Sequence, residues 1–146
     1  MEKLKQLFRR YRQIIVYVFF GGVTTLVNMA VLEIFARLGC PTWLANAIAW
    51  VAAVLTAYFT NRRWVFGSRS SGAAARREFV SFIAARLGTF ALDEAIMVLG
   101  VDVLGPALFS PVPQLWRQAV KLAANILVMI LNYVFSKLFI FRQREK

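Results

Sequence analysis

Four apolar stretches, 14–36, 44–66, 79–101 and 119–141, fill most of this 146-residue chain and leave it few ways to fold. A helix rises 1.5 Å per residue, so about 20 apolar residues cross a hydrocarbon core roughly 30 Å thick. Each stretch is longer than that. Inside a bilayer every backbone N–H and C=O has to be paired within its own segment, which selects helices. With 60% of its residues hydrophobic, the chain has too little polar sequence left for an aqueous domain. The expected fold is all-α and integral to the membrane, a single domain over 1–146 with four transmembrane helices.

The formal net charge of +11 is spread unevenly. Lys3, Lys5, Arg9, Arg10 and Arg12 precede the first stretch; Arg62 and Arg63 stand at the end of the second stretch, with Arg69, Arg76 and Arg77 after it; Lys137, Arg142, Arg144 and Lys146 close the chain. The opposite side holds Arg37 and Arg117, with Lys121 just inside the fourth stretch. By the positive-inside rule both termini and the connection 67–77 are cytoplasmic, and the chain is multi-pass in its membrane. Topology and attraction to anionic membrane lipids account for the charge, so nucleic acid is not an expected partner. The basic start and 14–36 do not read as a secretory leader, because the apolar run is too long and no small-x-small site closes it.

Residue types narrow the chemistry further. The chain has no histidine and one cysteine, Cys40, which removes Ser-His-Asp and Cys-His catalysis and thiolate metal sites. No Gly-rich phosphate loop ending in Lys-Ser/Thr is present, so this chain does not use ATP. No catalytic residue, metal or cofactor is expected, and the chain is read as a non-enzyme.

Internal similarity divides the chain in two. Tyr58–Phe66 returns 75 residues later as Tyr133–Phe141, pairing Asn61 with Ser136, Arg62 with Lys137 and Trp64 with Phe139. A cation followed by aromatic rings suits a helix leaving a bilayer, since the cation reaches phosphate while the rings settle at headgroup level. At an offset of 65, Thr24 meets Thr89 and Asn28 meets Asp93. Two parallel two-helix repeats follow, each starting and ending inside. The basic segment 1–13 is expected as a short helix on the inner surface, 67–77 as a flexible linker, and Gln114 as the start of a short horizontal helix. Ala45, Ala49, Ala53 and Ala57 make a small-residue ridge for close packing in lipid.

The second repeat carries the costly residues. Arg86, Thr89 and Asp93 recur at intervals of three and four on one face, with Glu94 beside them. Lys121, Asn125, Asn132 and Ser136 do the same on the fourth stretch. Helical rise puts Arg86 level with Asn132 and Asp93 level with Asn125. Charges at such depth cost about 2.5 kcal/mol or more each on insertion scales. One reading is an Arg86–Asp93 bridge that locks the bundle; the other is a path for a polar or anionic ligand, with Arg86 clamping a phosphate.

These residues resemble the GtrA-like family of small four-helix membrane proteins. The resemblance rests on Phe20-Gly21-Gly22, Asn61-Arg62-Arg63-Trp64-Val65-Phe66, Arg86, Lys121, and Ser136-Lys137-Leu138-Phe139-Ile140-Phe141. It implies translocation of an undecaprenyl-phosphate sugar, made by a partner polyprenyl-phosphate glycosyltransferase, to the outer face. On that reading Arg86, Lys121, Arg62, Arg63 and Lys137 meet the phosphate, and Asn28, Asn61, Thr89, Asp93, Glu94, Asn125, Asn132 and Ser136 line a polar groove. Two alternatives stay open: a membrane scaffold for the glycosyltransferase, and a proton-coupled exporter of small cations. Small-residue faces left over by four helices predict a homo-oligomer, most simply a dimer.

Overall fold

A computed structural model describes residues 1–142, in which the elements are helices and no strand occurs. Arg144 and Lys146, counted above among the inner cations, lie outside the described residues. Helix α1 spans Glu2–Arg37 and α2 spans Thr42–Thr60, continued by a π-helical turn at Asn61–Val65. Helix α3 spans Gly72–Met97, with a π-helical turn at Val98–Val103 leading into the short α4, Leu104–Leu108. Helix α5 spans Gln114–Phe135 and ends in a π-helical turn at Ser136–Ile140. The described chain forms two compact units, Met1–Phe79 and Val80–Arg142.

In the first unit α1 and α2 form a hairpin. Its turn is closed by Cys40 N–H donating to Phe35 O at 3.1 Å, with Gly39 at φ 82°, a conformation that glycine adopts without a Cβ clash. Ala45, Ala49, Ala53 and Ala57 are all buried, as the ridge requires. At the other end of the hairpin the Phe20 and Trp64 rings stack at 5.3 Å, and Gln13 Nε2 donates to Val65 O at 3.3 Å.

Two expectations for this unit are corrected. Residues 1–13 are helical but not a separate surface helix; they are the first turns of α1, because no Gly or Pro interrupts the sequence before Gly21. At 1.5 Å per residue its 36 residues extend over roughly 54 Å, well beyond a 30 Å core. The connection 67–77 is not one flexible linker either. Only 67–71 is irregular, and helix resumes at Gly72, where Ala73, Ala74 and Ala75 are strong helix formers.

In the second unit Gln114 opens α5 itself, behind Pro113 at the N-cap, and the short helix is α4 instead. Proline ends the connection there because its fixed φ is compatible with helix entry. The connection between α3 and α5 is packed: Trp116 Nε1 donates to Gly100 O at 2.8 Å, and a Cβ on Gly100 would lie 2.7 Å from a Val120 methyl. Near the opposite end of the unit, the buried Phe82 and Phe141 rings lie 6.1 Å apart.

Large apolar side chains such as Phe19, Leu26, Leu122 and Phe139 are exposed along the helices, the pattern of a lipid-facing surface. Glu2–Arg37, Trp43–Val65 and Gln114–Ile140 are each long and apolar enough to cross a membrane. The protein is a multi-pass membrane protein. The stretch 79–101 does not join those three by composition, since Arg86, Asp93 and Glu94 crowd its middle.

Candidate functional site

Polar side chains inside apolar helices are the place to look for function, because each needs a partner that lipid does not supply. In the second unit two such pairs join α3 to α5. Thr89 Oγ1 donates to Asn132 Oδ1 at 2.9 Å, and both residues are buried. Lys121 Nζ donates to Asp93 Oδ2 at 2.6 Å. Asp93 is 9% exposed, and its other oxygen, Oδ1, is buried with no hydrogen-bond partner.

These pairs differ from the levels expected on sequence. Asn132 meets Thr89, one turn from Arg86, and Asp93 meets Lys121, not Asn125. Residue number gives depth along one helix but not the register between two, and a flexible lysine stem reaches where an asparagine does not. Asn125 and Glu94 are exposed and belong to neither pair. The Arg86 guanidinium lies 5.0 Å over the Phe82 ring, a cation–π arrangement on successive turns of α3.

The expected inner cations divide into two kinds. Arg62 is held: it donates to the Tyr58 hydroxyl at 3.2 Å and to Ser70 O, and its Nε is 3.9 Å from Glu78 Oε2. Ser68 Oγ donates to Glu78 Oε1 at 2.7 Å, so the irregular connection is tied to the end of α2 through Arg62 and Glu78. Arg63 and Lys137 are exposed, each near an aromatic ring, Trp64 at 5.5 Å and Tyr133 at 5.7 Å. Asn61 and Ser136 are buried, and each opens a π-helical turn by accepting from the amide five residues on, Phe66 at 2.9 Å and Phe141 at 2.8 Å. Asn28 is half-buried on α1.

A depression of about 480 Å³ opens beside the Lys121 end of α5, lined by Met97, Val112, Gln114, Arg117, Gln118 and Lys121. Sequence reasoning took only Lys121 from this set. The spacing of Gln114, Arg117, Gln118 and Lys121, at i, i+3, i+4 and i+7, marks one helical face and was the available signal.

Comparison with known proteins agrees with a chain that lies in the membrane. The family described as GtrA/DPMS, transmembrane domain, matches residues 16–141. The cell wall teichoic acid glycosylation protein GtcA of Listeria monocytogenes serovar 1/2a is 35% identical, over 99% of this chain and 95% of its own. GtcA of Listeria innocua serovar 6a is 37% identical with the same coverage. The membrane protein YwcD of Bacillus subtilis strain 168 is 26% identical over 89% of this chain and 97% of its own. No solved structure matches the chain.

Proposed function

The chain belongs to the GtrA/DPMS transmembrane-domain family, and from that premise we propose that it moves a polyprenyl-phosphate-linked monosaccharide from the cytoplasmic to the outer leaflet, for glycosylation of a cell-surface polymer. The relatives named for teichoic acid glycosylation support the process. The observation that carries the transport reading is the Asp93–Lys121 pair, a carboxylate with one orphaned oxygen beneath a half-exposed ammonium, within helices that otherwise face lipid. A lipid-linked sugar can leave its tail in the bilayer, while its headgroup loses several kcal/mol for each polar group stripped of water. Polar side chains along α3 and α5 lower that barrier. Arg86 and the exposed Lys137 attract the phosphate, and Lys121 receives it farther along the same unit. An inside-negative potential drives an anion outward, worth about 2.3 kcal/mol per charge at 100 mV.

In this reading α3 crosses the membrane despite its charges, the chain is built of two parallel two-helix repeats, and both termini face the cytoplasm. A polyprenyl-phosphate glycosyltransferase supplies the substrate, and the protein works as a dimer without catalysing a reaction itself. Cross-linking in native membranes that gives only monomers overturns the dimer.

The test is reconstitution in vesicles with a labelled polyprenyl-phosphate hexose, following headgroup accessibility with time. Wild type is expected to expose the label far faster than empty vesicles, and Arg86→Ala to fall toward the empty-vesicle rate. Equal rates in all three sink the transport reading. A scaffold for the glycosyltransferase is the second reading, favoured by the Arg62–Glu78 tie that holds the connection in one shape. It predicts that Arg86→Ala keeps full glycosylation in cells while Glu78→Ala loses it.

A further inference from the structure

The depression at the start of α5 combines two kinds of side chain that suit different parts of one ligand. Arg117 and Lys121 are cations one turn apart on one face of α5. Gln114 and Gln118 are amides, also one turn apart on the same face, each offering two donors and an acceptor. Met97 and Val112 supply the apolar part of the lining. A volume of about 480 Å³ falls within the roughly 300–1,000 Å³ of small-molecule sites. It has room for a hexose ring with its phosphate.

We propose that this depression is the headgroup subsite in which Gln114 and Gln118 hydrogen-bond the hydroxyls of a neutral sugar, while Arg117 and Lys121 hold the phosphate that links it to lipid. The proposal rests on the transport reading and adds to it where, and by which residues, the sugar is distinguished from a bare lipid phosphate. The bare phosphate is a monoester with more negative charge than the sugar-bearing diester, so cations alone favour the bare lipid; only the amides reward the sugar. Because Lys121 also pairs with Asp93, an incoming phosphate and the Asp93 carboxylate share one ammonium, which connects the occupied subsite to the polar pairs below it. The packed connection between α3 and α5, with Trp116 bonded to Gly100, keeps Val112 in place as part of the lining.

The experiment compares two probes on the purified full-length protein in detergent: a short-chain polyprenyl phosphate, and the same lipid phosphate carrying glucose. Inorganic phosphate serves as the lipid-free arm. Wild type is expected to bind the glucose-bearing lipid about tenfold tighter than the bare phosphate, the effect of two or so added hydrogen bonds. The Gln114→Ala/Gln118→Ala double variant should lose that preference and keep its affinity for the bare phosphate. Arg117→Ala should weaken both lipids, the more highly charged bare phosphate at least as much as the sugar-bearing one. These glutamines are exposed, so an unchanged melting temperature is expected and separates binding from folding. The subsite is overturned if wild type shows no preference, or if the double variant keeps it. Binding here requires no passage across a membrane, so wild type that prefers the sugar lipid yet moves no headgroups in vesicles sinks the transport reading and leaves the subsite intact.

Discussion

The α1–α2 pair and the α3–α5 pair share parts of a local framework but not its closeness: α1 and α2 lie against each other, whereas the backbones of α3 and α5 scarcely approach. Asn61 and Ser136 open identical π-helical turns 75 residues apart, Ala49 and Ala124 are both fully buried at that offset, and Thr24 and Thr89 each back-bond to the carbonyl four residues before. What fills the frameworks does not correspond. Gly21, Asn28, Asn46 and Ala57 in the first pair stand where Arg86, Asp93, Lys121 and Asn132 stand in the second. The first pair holds together by its buried alanine ridge and the Phe20–Trp64 stack, with no ion pair between its helices among the described residues. Small residues let α1 and α2 approach closely, whereas α3 and α5 stand farther apart and are bridged by longer polar side chains. The second pair holds a buried carboxylate and its lysine across that wider gap, and a gap lined by charge is the feature of this pair that suits a ligand.

The sharpest way to break this comparison is to give the second pair the residues of the first. Asp93→Asn with Lys121→Asn should leave a folded protein and slow headgroup passage at least 100-fold in vesicles, about 2.7 kcal/mol of barrier. Lys121→Asn alone should be less stable than the double variant, since it leaves the Asp93 carboxylate buried without its ammonium. Breaking a fully buried pair costs about 3–5 kcal/mol, and the 46% exposure of the Lys121 side chain reduces that here. A double variant that transports normally would show the charges to be structural.

The reverse exchange comes next in size. Ala57→Asn places a larger polar side chain in the ridge where Ala57 is buried, and overpacking of this kind costs about 1–3 kcal/mol. It should lower the melting temperature in detergent and leave the transport rate per folded molecule unchanged. A loss of rate without a loss of stability would mean that the first pair also contacts the cargo.

How much of this was legible beforehand follows from what sequence encodes. Apolar runs locate helices, so 44–66 and 119–141 fall close to Trp43–Val65 and Gln114–Ile140. The offset of 75 is a backbone signal as well as a side-chain one, since it recurs in the π-helical turns. Partners across a helix interface were less legible, because register depends on how two helices slide together. For that reason Lys121 displaced Asn125 as the partner of Asp93. The capture of Arg62 was only partly legible: Tyr58 stands four residues before it, but another of its acceptors is the backbone carbonyl of Ser70, and any residue at that position has one.

The smallest effects test whether the two threonines are equivalent. Thr24 Oγ1 donates to Phe20 O at 2.8 Å, a bond internal to α1 that needs no neighbour. Thr89 makes the same back-bond to Ala85 O at 3.1 Å and also meets Asn132 on α5. Interhelical hydrogen bonds in membranes average about 0.6 kcal/mol, with a maximum near 1.7. Thr24→Ala should therefore be nearly silent, whereas Thr89→Ala and Asn132→Ala should each cost about 0.6 kcal/mol in a denaturation measured in detergent. Their double variant should cost scarcely more than either single one, because the two side chains lose the same bond. Additive losses would mean that each residue has a separate partner, and the Thr89–Asn132 pair would then no longer distinguish the second pair of helices from the first.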